Sequence, residues 1–522
     1  MAGRGVRIAS GIAAAGIVLG VAEVVGVLVS PDSTPLQAVG AWVVDHTPDS
    51  VRESVINTVG TNDKLLLFLS MGVAAVLLAA LAGLIERVQR PLGSALFAAF
   101  GLIATLAALT RPHAAWTWAF PSIIGAVAGI LVLRSLIQRI ANFDELAAAP
   151  TEPETPAAQP NTSQDLTFER RQVVRAIAVT GAVAAGAGLV GRWFGLRSRD
   201  VSGERAEVQL PSPSGPATVV EPGADLQISG LSSYVTSNSS FYRIDTALTV
   251  PQVSKEDWSL RIHGMVDNEI HLNYADLANR TPVERLVTLT CVSNPVGGEL
   301  IGNARWLGYR LDELLAEAGP HADADMVLSR SIDGFTAGSP LATLTDGRDA
   351  LLAVGMNGEP LPTAHGYPVR LVVPGLYGYV SATKWVTEIE VTRFDRAEAY
   401  WTKRGWSAYG PIKTGCRIDT PRGGTLTAGK VTIAGVAWAQ HRGIRGVEVH
   451  IDNGDWKPAR LAAEPSVDTW RQWVFDWDTA TSGPHTLWAR ATDGAGETQT
   501  DVRQGEIPDG ATGYPARTVH VG

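Results

Sequence analysis

Cysteine is almost absent from this sequence, which has two, Cys291 and Cys416, among 522 residues. Two cysteines so far apart cannot form the disulfide framework of a small secreted domain, although they could form one bridge. There is also no C-x-x-C-H run for covalently attached haem and no C-x-x-C pair for zinc or redox exchange. The folded domains must therefore be stabilised by their hydrophobic cores.

The chain also lacks an excess of positive charge. Its 43 lysine and arginine residues face 52 aspartate and glutamate residues, which gives a net charge of −9. A basic nucleic-acid-binding protein is therefore excluded for the molecule as a whole, and no nucleic-acid partner is expected. The length predicts roughly three or four units of ordinary domain size.

Long apolar runs are present, in contrast, and five of them reach the roughly 20 residues that a helix needs to cross a bilayer. They cover residues 8–29, 65–85, 92–110, 116–137 and 172–194. A buried globular helix could explain any one of them. Five runs that are nearly free of charge and flanked by charged residues predict an integral membrane protein with membrane lipid around its helices.

Arginines flank the five runs asymmetrically. They precede the first run, follow the second and separate the fourth from the fifth, at Arg4, Arg7, Arg87, Arg90, Arg134, Arg139, Arg170, Arg171 and Arg175. The positive-inside rule then predicts a cytoplasmic N-terminus and, after five spans, an extracytoplasmic chain beyond about residue 195. No histidine lies within any run, so haem held by two histidines inside the membrane is not expected.

A pair of arginines stands at the start of the fifth run, in Phe168-Glu169-Arg170-Arg171-Gln172. This stretch is similar to an internal twin-arginine export signal. Twin arginines also occur by chance, so ordinary insertion is the alternative. A genuine signal would mean that the following domain folds in the cytoplasm, where a cofactor can be loaded before export.

Composition divides the chain into six segments. Residues 146–166 are rich in Ala, Pro, Thr and Glu, and residues 196–235 are rich in Ser, Pro and Gly, so both are predicted to be linkers. The predicted segments are four transmembrane helices (1–140), a cytoplasmic linker (141–169), a fifth transmembrane helix (170–195), an external linker (196–235), a central domain (236–408) and a C-terminal domain (409–522).

The C-terminal domain has the alternating pattern of β-strands in KVTIAGVAWAQ, GVEVHIDNGDWKPARL, WRQWVFDW and HTLWARATDGAG. The Asn453-Gly454 pair predicts a type I′ hairpin turn. About seven short strands in about 100 residues favour an all-β immunoglobulin-like sandwich, without the Cys…Trp…Cys pattern of antibody domains.

The central domain mixes strand and helix patterns. WSLRIHGMV, RLVTLTCV and YPVRLVVPG are typical of strands, whereas LNYADLANR and LGYRLDELLAEAG are typical of short helices. An α+β domain is therefore predicted, and Cys291 lies in its middle, at the end of an apolar run.

Three interpretations of Cys291 are open from its local sequence. A thiol nucleophile needs a histidine base, and the histidines of this half (His263, His271, His321, His365) stand in no motif that marks one. An inert core thiol is the usual state of a lone cysteine. A thiolate is also a suitable ligand for a soft metal ion.

Three segments of the second half resemble, in order and spacing, the sulfite oxidase family of molybdopterin enzymes. They are FYRIDTALTVPQVSKEDWSLRIHGMV, TLTCVSNPVGGELIGNARWLGYRLDELL and GMNGEPLPTAHGYPVRLVVPGLYGYVSATKWVTEIEV. The resemblance covers about residues 236–522 and is nearest to membrane-anchored bacterial proteins of this kind. It implies that 236–408 binds molybdopterin and that 409–522 is a dimerisation domain, so a homodimer is expected.

The resemblance also implies the site. Cys291 would be the metal ligand to a molybdenum held by one pterin. The cofactor contacts would come from Phe241, Tyr242, Arg243, Asn294, His365, Arg370, Ser381 and Lys384, with Trp306 also at a family position. Arg442 matches a substrate-facing arginine and is the second predicted catalytic residue.

The sequence departs from the family where sulfite would bind. The two arginines that follow the cysteine in the family are replaced in the run Cys291-Val-Ser-Asn294-Pro295-Val296. Phe335 stands where the family has an active-site tyrosine, and Arg243 is displaced from the early arginine position. A small dianion requires several cationic donors, so these departures weaken the case for sulfite itself.

The predicted function is a membrane-anchored, molybdenum-dependent oxidoreductase that transfers an oxygen atom outside the cytoplasmic membrane. Its substrate would be a small oxyanion or a sulfoxide-type molecule, and its electrons would pass to or from a separate partner. The alternatives are a sulfoxide-type reductase with the same cofactor and a non-catalytic cell-surface binding protein.

Overall fold

The computed structural model describes residues 3–48, 51, 55, 58, 63–112, 114–148, 162–215 and 219–522. The chain divides into two compact units, Met1–Asp200 and Val201–Gly522. The described part of the first unit is helical, and the second unit is rich in β-strands.

Long apolar helices form the first unit. Their bounds are α1 (Arg4–Val29), α2 (Pro35–His46), α3 (Asp63–Ile85), α4 (Leu92–Leu109), α5 (Phe120–Ala148) and α6 (Thr162–Ser198). Among the described residues, α1, α3, α4, α5 and α6 contain stretches long and apolar enough to cross a membrane. Large apolar side chains such as Leu77, Leu102 and Leu131 are exposed on them, as a lipid-facing helix requires.

Helix α1 packs closely against its neighbours because small residues face each other. A side chain on Gly11 would collide with the backbone of Ala79 in α3, and one on Gly125 in α5 would meet the backbone of Val18. Backbone-to-backbone packing of this kind is the usual way in which helices associate without a hydrophobic driving force.

The predicted cytoplasmic linker, residues 141–169, is partly helical. Helix α5 continues to Ala148, and α6 begins at Thr162, because the ends of the predicted segment contain good helix formers such as Ala, Leu and Glu. Residues 149–161 of the prediction lie outside the described residues.

The first part of the second unit has two sheets. Its strands are β1 (Ser259–Gly264), β2 (Ile270–Asn273), β3 (Val283–Thr290), β4 (Ile301–Arg310), β5 (Met326–Ser331), β6 (Thr336–Pro340), β7 (Leu351–Met356), β8 (Glu359–Pro360), β9 (Arg370–Val372) and β10 (Val386–Thr392). The sheet orders are β2-β1-β10-β5-β6 and β3-β4-β7-β8, with β9 also paired to β7. Strands β1 and β10 are parallel, and the other pairs are antiparallel.

Short helices connect these strands. They are α7 (Ser202–Glu207), α8 (Tyr274–Ala278), α9 (Leu311–Ala318), α10 (Leu341–Leu344) and α11 (Gly378–Ser381). Helix α8 is fixed by a capping box between Asn273 and Asp276. Helix α9 ends at Gly319, whose φ of 69° is a left-handed conformation that glycine adopts without strain.

The second part of this unit is a two-sheet β-sandwich. Its strands are β11 (Gly415–Thr420), β12 (Thr425–Leu426), β13 (Gly429–Trp438), β14 (Ile444–Ile451), β15 (Lys457–Pro458), β16 (Arg460–Leu461), β17 (Arg471–Ala480), β18 (Gly483–Asp493) and β19 (Ala516–Val521). The sheets β11-β13-β17-β16 and β12-β19-β18-β14-β15 share a core that includes Cys416, Ile433, Val447 and Leu487. Cys416 and Cys291 are both free thiols.

The predicted external linker, residues 196–235, differs from a flexible tether. From residue 201 onward its described part packs within the second unit. Tyr234 is fully buried, with its hydroxyl 2.8 Å from the Thr469 hydroxyl, and the indole N–H of Trp470 donates to the Tyr234 carbonyl at 2.9 Å. A segment rich in Ser, Pro and Gly can thus be ordered when one of its aromatic side chains is buried and hydrogen-bonded in the core.

Candidate active site

Cys291 follows directly after β3 and is 9% exposed. The last five residues of β3 are buried, so the strand carries the cysteine into the interior. Its backbone N–H donates to the Leu300 carbonyl at 2.9 Å. Burial raises the pKa of the thiol, which makes an unassisted thiolate unfavourable. Such a thiol is a poor nucleophile by itself, whereas coordination of a metal ion would remove its proton.

Asn294 closes the loop that follows Cys291. Its side-chain oxygen accepts the Leu300 backbone N–H at 2.9 Å, and its own N–H donates to the Cys291 carbonyl at 3.1 Å. A side chain on Gly298 would collide with that asparagine oxygen. The structure therefore gives Asn294 a role in shaping the loop, and its predicted cofactor contact stays a prediction.

A cavity opens beside Cys291. Its volume is about 900 Å³, counting space that is continuous with solvent. Six of the predicted site residues line it: Phe241, Tyr242, Cys291, His365, Arg370 and Lys384. These residues lie far apart in the sequence, and the fold brings them together at the ends of strands and in the loops between them.

Arg370 is a buried cation at the start of β9. Its guanidinium donates to the carbonyl oxygens of His365 at 3.1 Å and Ala382 at 3.4 Å, and it lies 5.0 Å from the ring centre of Trp306. Desolvation lowers its pKa to about 10, so it still carries its charge at neutral pH. Trp306 is fully buried and does not line the cavity, so it packs against the arginine without facing the cavity.

Lys384 and Asp245 form a buried ion pair at the cavity. The ammonium lies 2.8 Å from a carboxylate oxygen of Asp245, and the two side chains are 10% and 4% exposed. Burial lowers the pKa of Lys384 to about 8, although the aspartate opposes this shift. Arg243 also binds Asp245, at 2.7 Å, but it is itself exposed and is not among the described residues that line the cavity.

The rings of Phe241, Tyr242 and His365 form one wall. Phe241 is stacked on Tyr242 at 5.2 Å and meets His365 edge-on at 5.6 Å. Gly302 leaves room for the Phe241 ring, because a side chain there would lie 2.8 Å from it. Burial lowers the pKa of His365 to about 4, with further lowering by Arg370 and Lys384, so this histidine is neutral at pH 7.

Two more predicted site residues, in addition to Arg243 and Asn294, are not among the described residues that line the cavity. Ser381 is fully buried, and its hydroxyl donates to the carbonyls of Leu376 and Tyr377. Arg442 donates to a carboxylate oxygen of Asp493 at 2.8 Å and is not among the described residues that line the cavity. That Arg442 faces the substrate stays a prediction; in the structure its guanidinium is paired with the sandwich residue Asp493.

The sequence did not single out several residues that line the cavity. These include Asp245, Asp333, Tyr379, Trp385, Trp401 and Trp406. Phe335, which the sequence did single out, also lines the cavity. The stretch YWTKRGW, residues 400–406, was the available signal, since two tryptophans in a loop are unusual unless they face a ligand or a core.

The donor set fits the cofactor that the resemblance implies. Molybdopterin requires a soft thiolate for its metal, and cationic donors for its phosphate and polar ring edges. Cys291 supplies the thiol, and Arg370 and Lys384 supply buried cations around the same cavity. His365 adds a ring nitrogen, which lies 3.3 Å from the Asn238 carbonyl.

Comparisons with known proteins agree with this site. Residues 247–401 match the family described as oxidoreductase molybdopterin binding domain. Mitochondrial sulfite oxidase of Homo sapiens is 30% identical over 290 residues, which are 46% of this chain and 52% of that protein. The sulfane dehydrogenase SoxCD from Paracoccus pantotrophus has a solved structure that is similar to this chain at 22% identity and a TM-score of 0.49. The match covers 55% of this chain and 81% of the SoxCD chain.

A bacterial relative is covered more completely. The uncharacterized oxidoreductase YuiH of Bacillus subtilis is 31% identical over 153 residues, which are 29% of this chain and 74% of that protein. The chain spans only about half the length of the mitochondrial sulfite oxidases that it matches. The chain covers 74% of YuiH at 31% identity, and the molybdopterin-binding domain matches as well. This chain therefore belongs to the sulfite-oxidase-related family of molybdopterin oxidoreductases.

Proposed function

We propose that this chain is a membrane-anchored oxidoreductase that transfers an oxygen atom to or from a small substrate at a molybdenum centre on the outer side of the cytoplasmic membrane. The observation that carries this proposal is the buried thiol of Cys291 in a cavity that is also lined by two buried cations, Arg370 and Lys384. When bound, the cofactor supplies the two-electron chemistry, and the protein supplies orientation and local charge.

The side chains around the cavity have separate roles in this proposal. Cys291 holds the metal as a thiolate, and Arg370 and Lys384 bind the anionic and polar edges of the single pterin. Phe241 and Tyr242 form a flat wall against it. Three predicted residues act indirectly. Arg243 holds Asp245 in place, Asn294 holds the loop after Cys291, and Ser381 holds the turn of α11.

Membrane attachment is supported by the five apolar helices of the first unit and by the distribution of arginines around them. The asymmetry favours a cytoplasmic N-terminus and an extracytoplasmic second unit. We propose that the helices anchor the enzyme and that a separate electron-transfer partner exchanges electrons with it. The sandwich of residues 409–522 is proposed to be immunoglobulin-like and to form a homodimer.

The test is an assay of the full chain in detergent, purified from cells that make molybdopterin. Sulfite with an artificial oxidant tests oxidation, and a sulfoxide with a reduced viologen dye tests reduction. We expect turnover in at least one direction, lost in the Cys291→Ser variant and kept in Cys416→Ser. A metal-loaded protein that turns over neither substrate, or a Cys291→Ser variant with full activity, would contradict the proposal.

A further inference from the structure

The segment that follows Cys291 is closed by hydrogen bonds of its own. It runs from residue 292 to residue 300, between β3 and β4, and is called the cysteine loop below. The Cys291 N–H donates to the Leu300 carbonyl at 2.9 Å, and the Leu300 N–H donates to the Asn294 side chain at 2.9 Å. The Asn294 N–H returns to the Cys291 carbonyl at 3.1 Å. The backbone of Cys291 is therefore held in place by the cysteine loop.

Two neighbouring glycines make this loop easy to deform. Gly297 has a φ of 76°, a conformation that glycine adopts freely. Gly298 passes so close to Asn294 that a Cβ on it would lie 2.5 Å from the asparagine side-chain oxygen. Because Asn294 is bonded to both Leu300 and Cys291, a displacement of Gly298 is transmitted to the thiol. A contact from outside the loop at Gly298 would therefore control the position of the thiol.

Arg417, in strand β11 of the sandwich, supplies this contact. One of its guanidinium nitrogens donates to the Gly298 carbonyl at 2.9 Å. Over the described part of the chain, this is the one hydrogen bond that joins the cysteine loop to the sandwich. The position of the loop thus depends on the position of a single side chain.

Arg417 is itself fixed by a buried ion pair. The side chains of Arg417 and Asp419 are 7% and 4% exposed, and their nearest nitrogen and oxygen atoms lie 2.5 Å apart. A second guanidinium nitrogen donates to the Ser232 hydroxyl at 2.9 Å, and the Ser232 N–H donates to the other carboxylate oxygen of Asp419 at 3.0 Å. Since the donors of a guanidinium have fixed directions in one plane, these partners also direct the nitrogen that binds Gly298.

Arg417 is not among the described residues that line the cavity, so its effect on the site is indirect. We propose that Arg417 is a positioning residue, which holds the Cys291 sulfur in its metal-binding orientation through Gly298 and the cysteine loop. Groups that orient a metal ligand without touching the metal influence both the affinity for the metal and its electronic properties. This inference rests on the proposed role of Cys291 as the metal ligand.

The test uses the Arg417→Lys variant of the full chain in detergent. The lysine ammonium keeps a positive charge opposite Asp419, so the buried carboxylate is not left without a partner. It lacks the planar fork with which the guanidinium binds Asp419, Ser232 and Gly298 together. The variant should therefore keep its fold and lose the hydrogen bond to the cysteine loop.

The matched control is Arg471→Lys, also in the sandwich. Arg471 donates to the backbone carbonyls of Ala462 and Ile444, each at 2.7 Å. This change removes hydrogen bonds of the same kind at a position that has none with the cysteine loop among the described residues.

The first measurement needs no metal. Hydrogen exchange is followed in the full chain made by cells without molybdopterin. We expect the amides of the cysteine loop to exchange about tenfold faster in Arg417→Lys, because a lost hydrogen bond makes local opening easier, and to be unaffected in Arg471→Lys. Unchanged exchange of the loop in Arg417→Lys would overturn the inference.

The second measurement uses the metal-loaded chain. Partial reduction gives Mo(V), whose electron paramagnetic resonance spectrum depends on the orientation of its sulfur ligand. We expect an altered spectrum in Arg417→Lys and the unaltered one in Arg471→Lys; a loss of stability alone would not change the spectrum of the folded protein. An unchanged spectrum in Arg417→Lys at equal metal content would overturn the inference and leave the proposed function standing. An unaltered chain that contains no molybdenum would overturn both.

Discussion

At the scale of single residues, the two cysteines are a matched pair of free, buried thiols in different environments. Cys291 lines the cavity, whereas Cys416 lies in the sandwich core with its thiol 3.2 Å from the Gln499 side-chain oxygen. We predict that Cys291→Ser loses bound molybdenum and keeps its fold. Cys416→Ser should keep the metal and most of its stability, because the serine hydroxyl can donate to the same Gln499 oxygen.

Metal analysis of the purified variants, with circular dichroism as the control for folding, would check this prediction. Equal molybdenum in Cys291→Ser and the unaltered chain would mean that the thiol is not a ligand.

His365 makes the stability of the cofactor-free protein depend on pH. Its pKa is lowered to about 4 in the folded chain, against 6.5 for the unperturbed side chain. Between these values the unfolded state binds a proton that the folded state does not, so stability falls as pH decreases from about 6.5 to about 4. The loss is at most roughly 3 kcal/mol, since one pKa unit is about 1.4 kcal/mol.

Denaturation midpoints of the full chain in detergent, made in cells without molybdopterin, would measure this dependence. His365→Gln should flatten it, and His271→Gln, which alters an exposed side chain, should not. A profile that keeps its slope in His365→Gln would show that other groups are responsible.

The sequence could identify site residues that stand in recognisable motifs. It could not show which way every one of their side chains points, nor which other residues join them. Cys291, Arg370 and Lys384 stand in motifs, and the fold brings them to one cavity. Asp245 and Asp333 were not identified, because a carboxylate has no signal in sequence until a partner in space defines it. Arg442 fits a motif by position, yet it binds Asp493.

At the scale of elements, the sandwich holds the strand that carries Cys291. The side-chain amide of Gln440, just after β13, donates to the Thr288 carbonyl at 3.1 Å and to the Thr290 hydroxyl at 3.0 Å. Both threonines belong to the end of β3, immediately before the cysteine. The two parts of the second unit therefore meet where the thiol is positioned.

We predict that Gln440→Leu destabilises the protein by about 1–3 kcal/mol, because it leaves a buried carbonyl without a donor. It should also lower molybdenum content by moving the cysteine. The exposed Gln504 gives the control variant Gln504→Leu, for which neither change is expected. Melting in detergent and metal analysis measure both effects; a Gln440→Leu protein with unchanged melting would contradict a role for this contact.

Strand patterns predict elements better than the turns between them. The antiparallel pair β14–β15 lies where Asn453-Gly454 predicted a hairpin, but Val449 pairs with Lys457, so the connection is longer than a two-residue turn. The residue with positive φ is Asp452, at 52°. The prediction of a flexible linker at 196–235 differs from the structure because composition describes the average of a segment. It does not show that one side chain, Tyr234, is buried in the second unit.

At the scale of the whole molecule, a unit whose described residues include five helices long and apolar enough to cross a membrane is joined in one chain to a β-rich unit that carries the cavity. Composition alone identified the helices, because nothing in a globular protein requires five runs of this length. It could not identify the substrate, which depends on a few side chains brought together from distant segments.

The proposed orientation makes a prediction at this scale. Alkaline phosphatase, which is active only outside the cytoplasm, should be active when fused after Gly522 and inactive when fused to a chain ending at Ala148. The reverse pattern, measured in intact cells with equal amounts of the two fusion proteins, would contradict an extracytoplasmic active site.

The proposed function depends most directly on the cofactor. The measurement that tests it is the molybdenum and pterin content of the full chain, purified in detergent from cells that make molybdopterin. We predict close to one molybdenum and one pterin per chain, both lost in Cys291→Ser. A correctly folded protein that contains neither would contradict it.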